Sequence, residues 1–222
     1  MDPHAENYLP ISPYAYVGNN PIIYIDPDGR DRRLIYNHSN KTITVKATYY
    51  HSIGATKSAR AGVRVFNNME GVTYKDKGGT AWNVKFDLTT QRSNDPDYAA
   101  QNNPQGNSFE LKETVISSES GKKVAGTATN QKYIDVGVEF KDELTPAHEI
   151  GHTLGMANRE NRGDPDNHSE TGIMTPYTNH PERSENLEQE NINQMIETGR
   201  GPEEHRISVI DQIKIILPLL LP

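Results

Sequence analysis

The chain has 222 residues, of which 33% are hydrophobic and none is cysteine, and its formal net charge is -7 at pH 7. This length suffices for one domain of moderate size with appendages. The lack of cysteine excludes disulfides and thiolate zinc sites, and the acidic balance without a dense basic run argues against a nucleic-acid partner.

The first thirty residues are rich in proline and tyrosine and carry two strong turn signals, NNP at 19–21 and DPDG at 26–29. This composition predicts an irregular segment and excludes a long helix. The N-terminal run MDPHAENYLPISPY has neither the charged start nor the apolar core of a signal peptide.

Residues 14–29 follow the pattern YxYxxNNPxxxxDPxG, and the segment around them resembles the end of the RHS-repeat-associated core domain. In that family the pattern closes a large β-shell built from repeats, and a variable C-terminal toxin or effector domain follows it. The resemblance implies that residues 1–30 are the last part of such a shell. It also implies that the chain comes from the C-terminal end of a longer bacterial protein that is secreted or delivered to a target cell.

Beyond residue 30 the pattern alternates between strands and helices. Alternating β-branched and aromatic residues predict strands over 42–50, 81–89, 109–116 and 132–140. Apolar residues at helical spacing predict helices over 56–69, 144–154 and 182–198. Residues 93–108 are rich in Asn, Pro and Gly, which predicts a long loop.

These elements predict an α+β domain over residues 31–206, with a mixed twisted sheet and a C-terminal helix. The tail, residues 207–222, is apolar, but it is too short for a spanning helix and prolines interrupt it. We therefore expect no membrane span, and the tail fits either a buried terminal strand or an unstructured end.

The most informative feature is the string HEIGHTLG that begins at His148. His148 and His152 are four residues apart, so on a helix both imidazoles lie on one face and can reach one metal ion. Glu149 lies beside them and can take a proton from a water on that ion. Gly155 allows the chain to leave the helix sharply. Gly151 costs a helix roughly 1 kcal/mol relative to alanine, which indicates a packing or ligand-access role.

The string resembles that of the metzincin zinc endopeptidases, whose pattern is H-E-x-x-H-x-x-G-x-x-H followed by a methionine turn beneath the metal. His148, Glu149, His152 and Gly155 match the pattern, and Met174, in the sequence GIMTP, matches the turn methionine. The resemblance implies a zinc ion (Zn2+) held by His148 and His152, with Glu149 as the catalytic general base.

The third zinc ligand is where this chain departs from the family. Asn158 stands in place of the third histidine, and a neutral amide is a poor zinc ligand. His168 lies six residues before Met174, a distance similar to that in metzincins with short connections. We therefore expect His168 to be the third ligand and residues 156–167 to be an inserted loop. The alternatives are Asn158, Asp164, Asp166 and a glutamate such as Glu170 or Glu185.

The two resemblances together imply a zinc-dependent endopeptidase that acts as the C-terminal toxin or effector of an RHS-type protein. A polypeptide substrate would pair in extended form with an edge strand, for which the predicted strand 132–140 is the candidate. A cognate immunity protein is expected, because an intracellular protease harms the cell that makes it. The alternative is a metzincin-shaped binding module that recognises a protein partner; Asn158 favours it, and the intact Glu149 argues against it. A purely structural role in the shell fits only the first thirty residues.

Overall fold

The computed structural model describes residues 32–118, 121–142, 144–156, 171–175 and 182–198. Residues 1–30, His168 and the apolar tail lie outside these ranges. Over the described residues the fold is α+β, with a mixed sheet that carries helices on its buried face.

The strands in the described ranges are β1 (Arg33–Asn37), β2 (Thr42–His51), β3 (Thr73–Lys75), β4 (Ala81–Arg92), β5 (Gly106–Lys112), β6 (Val115–Ile116), β7 (Lys123–Val124), β8 (Gly126–Thr129) and β9 (Tyr133–Gly137). The helices there are α1 (Thr56–Asn67), α2 (Pro96–Gln101), α3 (Leu144–Thr153) and α4 (Gln189–Thr198). None of these helices combines the length and the apolar character that crossing a bilayer requires.

Within the described residues, seven strands form one mixed sheet in the order β3-β4-β2-β5-β9-β8, and β1 pairs with β2 off this path. The neighbouring strands β4, β2, β5 and β9 are parallel, whereas β1, β3 and β8 are antiparallel to their partners. Parallel neighbours require a crossover connection, and α1 supplies it between β2 and β4. The strands β6 and β7 pair only with each other.

Alternation along the central strands places one face of the sheet in the core, as the sequence predicted. In β4 the buried apolar side chains are those of Trp82, Val84, Phe86 and Leu88. In β2 they are those of Ile43, Val45, Ala47 and Tyr49. Helix α1 covers this face, and the rings of Phe66 and Phe86 lie 5.2 Å apart.

Helix α3 is held from two sides. A Cβ atom on Gly62 of α1 would lie 2.8 Å from Cβ of Pro146, so only glycine allows the two helices to approach this closely. From the sheet, the hydroxyl of Tyr49 lies 2.9 Å from that of Thr153, and this hydrogen bond is buried. The position of α3 is therefore fixed against both α1 and β2.

Several sequence-based predictions of local structure are wrong in part. Residues 93–108, predicted as a loop, contain α2 and the start of β5, because Asp95 accepts a hydrogen bond from the amide of Tyr98 at 3.0 Å and Pro96 occupies the first turn. The predicted helix 182–198 begins only at Gln189.

The predicted strand 132–140 is shorter than expected and is not an edge strand. Only Tyr133–Gly137 form β9, and Val138–Phe140 form a short 3-10 helix. Strand β9 lies between β5 and β8, so β8 is the outermost strand at this side of the described sheet. A turn in which Asn130 and Gln131 adopt φ values of 52° and 54° reverses the chain between β8 and β9.

Candidate functional site

Helix α3 begins with a side-chain cap and carries the motif into the interior. The carboxylate of Asp142 accepts hydrogen bonds from the amides of Leu144 and Thr145, each at 2.9 Å. Pro146 falls in the first turn, where its missing amide costs no hydrogen bond. Further along, His148 and Glu149 are buried, at 6% and 5% exposure.

Each histidine of the motif has one ring nitrogen against a backbone carbonyl. Nδ1 of His148 lies 2.9 Å from the oxygen of Ile173, and Nδ1 of His152 lies 3.2 Å from the oxygen of Met156. A carbonyl oxygen only accepts, so in each ring Nδ1 donates and the neutral ring presents Nε2 as a lone pair. Carbonyl contacts of this kind fix the tautomer and the orientation of metal-ligating histidines.

The two Nε2 atoms of His148 and His152 lie 3.1 Å apart, with the ring planes at 86°. Two nitrogens that bind one tetrahedral zinc ion at about 2.0–2.1 Å are separated by about 3.3 Å. The pair is therefore spaced and oriented as two ligands of one metal ion. Without a cation or a shared proton, two lone pairs at this distance repel each other.

The C-terminal end of α3 places the carbonyl that holds His152. Gly155 adopts a φ of 83°, and the amides of Gly155 and Met156 donate to the carbonyls of His152 and Gly151 at 3.0 Å each. This is the Schellman arrangement, which needs a left-handed residue after the helix. The turn predicted at Gly155 is thus present, and it brings the oxygen of Met156 back to His152.

Met174 packs directly beneath the motif. A Cβ atom on Gly151 would lie 2.3 Å from the sulfur of Met174, so a helix residue without a side chain is required there. The low helix propensity of Gly151 indicated a packing or ligand-access role, and this contact with Met174 is a packing role. Met174 is fully buried, and the preceding residue, Ile173, supplies the carbonyl that holds His148.

Glu149 follows His148 in α3 and is buried. Burial raises the pKa of its carboxyl from 4.5 to about 8, while the positive charge of Arg183 acts in the opposite direction. A Cβ atom on Gly126 of β8 would lie 2.6 Å from Oε1 of Glu149. The carboxyl therefore lies against β8, the outermost strand at this side of the described sheet.

Sequence reasoning missed Gly126 and Arg183. Neither belongs to a motif, and they lie 23 and 34 positions from Glu149 along the chain. Long-range contacts bring them to α3: β8 carries Gly126 to Glu149, and Arg183 contacts Thr145. No spacing rule could have found them.

The structure pairs His148 with His152 but does not identify a third metal ligand. Within the described ranges, no three His, Cys, Asp or Glu side chains are grouped to hold a metal ion. Glu185, the alternative ligand that is described, therefore does not join the histidine pair. The remaining candidates lie outside the described residues: His168, Asn158, Asp164, Asp166 and Glu170.

Comparison of the chain with protein-family models and with curated protein sequences gave no match.

Proposed function

We propose that the chain is a metzincin-like zinc endopeptidase. The observation that carries this proposal is the pair of Nε2 atoms 3.1 Å apart, each ring held through Nδ1 by a backbone carbonyl, on a helix in which the buried Glu149 directly follows His148. Met174 beneath the motif and the order of β2, α1, β4, β8 and α3 along the chain support the same proposal.

In the proposed reaction Glu149 is the proton carrier. It takes a proton from the attacking water and delivers it to the amine that leaves when the peptide bond breaks. When bound, zinc supplies a Lewis acid that polarises the peptide carbonyl and acidifies water, and its charge lowers the pKa of the nearby carboxyl. In the chain itself, the proton affinity of Glu149 is raised by burial of its carboxyl and lowered by the charge of Arg183.

The proposed substrate is an extended polypeptide. Strand β8 is outermost in the described sheet and lies against Glu149 through Gly126. A peptide that pairs with β8 through main-chain hydrogen bonds would pass beside the carboxyl. Main-chain pairing gives affinity for peptides of many sequences. A preference for particular substrate residues must therefore come from side chains around the carboxyl of Glu149.

The test combines metal analysis with digestion of casein. The zinc-loaded wild type should bind about one zinc ion per chain and cleave casein. Glu149→Gln should keep the zinc and lose turnover by about 10²–10⁴-fold, because it removes the proton acceptor and preserves shape. The double variant His148→Ala, His152→Ala should lose both zinc and turnover.

Two exposed residues provide matched controls: Glu113→Gln and His38→Ala should each keep zinc and activity. Equal turnover by Glu149→Gln would refute the mechanism. Retention of zinc by the double histidine variant would refute the site. A wild type that holds zinc but cleaves nothing would favour the alternative, a binding module for a protein partner.

We further propose that this domain is a toxin or effector delivered by a larger RHS-type protein and neutralised in the producer by an immunity protein. The support is the match of residues 14–29 to the RHS pattern, directly before a separately patterned domain. Expression of residues 31–222 in bacterial cells should slow growth, and Glu149→Gln should relieve the effect. If both versions are harmless in the cytoplasm and in the periplasm, this proposal fails.

A further inference from the structure

Arg183 is a partly buried guanidinium with one buried donor, Nε, that has no hydrogen-bond partner among the described residues. Its Nη2 lies 3.5 Å from the hydroxyl of Thr145, at the long limit for a hydrogen bond. A guanidinium has five N–H donors, and leaving a buried donor without an acceptor is unfavourable.

Among the described residues, neither Asp142 nor Glu149 forms an ion pair with Arg183. Burial lowers the pKa of Arg183, and the charges of Asp142 and Glu149 act in the opposite direction. Asp142 is already engaged by two backbone amides at the start of α3. Ion pairs within the described part of the chain join Lys46 to Asp87, Lys112 to Asp135 and Lys123 to Glu139.

Arg183 is placed next to the proposed path of the substrate. Thr145 and Glu149 are four residues apart and therefore share one face of α3, and Arg183 contacts this face at Thr145. Gly126 of β8 approaches Glu149 from the sheet side. A peptide on the outer edge of β8 would place the cleaved bond near Glu149 and a neighbouring group near Arg183.

We propose that Arg183 forms a carboxylate-binding subsite that selects polypeptides with a carboxylate adjacent to the cleaved bond. The inference rests on the proposed endopeptidase function and adds a substrate preference to it. The carboxylate is either an acidic side chain or the free C-terminus of the peptide. Its two oxygens match the fork of Nε and Nη donors, which Arg183 offers and a lysine would not.

A singly charged carboxylate fits this position better than a phosphate. Asp142 and Glu149 are close enough to influence Arg183, and both repel an anion when ionised. That repulsion grows with the charge of the ligand. The subsite therefore favours a carboxylate over a dianion.

The test uses the full chain and peptides that differ by one group. Blocked peptides carry Asp or Asn next to the cleaved bond, and a second pair without acidic residues ends in a free acid or an amide. Binding is measured on zinc-loaded Glu149→Gln, so that recognition is read without turnover. Cleavage of the same peptides is measured on the active chain.

In one of the two pairs, the peptide with the carboxylate should bind and be cleaved about tenfold better, as expected for a charge-assisted hydrogen bond. The pair that responds identifies the source of the carboxylate. Arg183→Gln should remove the difference between the two peptides of that pair. The ratio between the two peptides is the readout, because Arg183 also lowers the pKa of Glu149. Arg183→Lys, which keeps the charge and loses the fork, should retain part of the difference. The exposed Arg60 gives the control, and Arg60→Gln should change nothing.

The possible outcomes separate this inference from the proposed function. If the wild type cleaves peptides but shows no carboxylate preference, or if the preference survives in both Arg183 variants, the subsite is refuted and the protease stands. If nothing is cleaved but carboxylate binding depends on Arg183, the subsite stands and the protease is refuted. Should Arg183→Gln fail to fold, Arg183→Lys decides by the same comparison.

Discussion

In the metal-free chain, Glu149 should make the stability of the fold depend on pH. Burial raises the pKa of its carboxyl from 4.5 to about 8, against the lowering effect of Arg183. Between these values the folded chain holds a proton that the unfolded chain has released, so the free energy of unfolding falls as pH rises. The contribution is fully present below the unfolded pKa of 4.5 and is lost as pH rises through the folded pKa of about 8.

The size of the effect follows from proton linkage. Each pH unit within this window changes the free energy of unfolding by about 1.4 kcal/mol per proton, so from about pH 5 to about pH 7.5 the loss is about 3 kcal/mol. Glu149→Gln has no carboxyl to titrate and should lack this loss. All other ionisable groups are the same in both proteins, so the quantity to compare is wild type minus variant.

Urea unfolding of chelator-treated protein measures this difference. Trp82, the one tryptophan of the chain, is buried and reports unfolding through its fluorescence. The free energy of unfolding of wild type minus that of Glu149→Gln should fall by about 3 kcal/mol between about pH 5 and about pH 7.5. A difference that stays constant or rises over this range would show that the carboxyl is not buried as described.

Three further substitutions test the packing and the ligands of the site. Gly151→Ala should destabilise the fold by about 1–3 kcal/mol and weaken zinc binding, because its Cβ overlaps a buried methionine sulfur. Thermal unfolding and zinc titration measure both effects, and Gly54→Ala, which meets nothing within 4 Å, is the control. Gly126→Ala should lower turnover at least about tenfold at unchanged zinc affinity, because its Cβ displaces the carboxyl of the proposed base; equal turnover would contradict this. His168→Ala should weaken zinc binding at least about 100-fold and Asn158→Ala should not, and the reverse order would contradict the inserted-loop prediction.

The sequence predicted the parts of the fold that depend on local periodicity. The strands β2 and β4 and the helices α1 and α3 follow from alternation or helical spacing within one window, and they are present almost as predicted. The placement of His148 beside His152 follows from helical geometry alone, since four residues make about one turn. The sharp exit at Gly155 follows from its conformational freedom.

The parts that could not be predicted depend on partners far apart in the chain. Which strand is outermost is decided by pairing, and the strand 132–140 has the same alternation whether or not another strand covers it. The reversal at Asn130 and Gln131 contains no glycine, so it carries only a weak turn signal. The carbonyl of Ile173 and the guanidinium of Arg183 reach α3 from beyond the motif, and side-chain identity does not predict such contacts.

Helix α3 and its neighbours contain several residues that are unfavourable for the stability of the fold. The helix carries His148 and Glu149 buried, and His152 partly buried, where a core helix would carry apolar side chains. Three glycines around it, Gly62, Gly126 and Gly151, give up side chains to allow close contacts. Residues that lower the stability of the fold are expected at functional sites, where another interaction offsets their cost. Under the proposed function that interaction is metal binding, because a cation held by His148 and His152 would relieve the repulsion of their lone pairs and make binding free energy part of folding free energy.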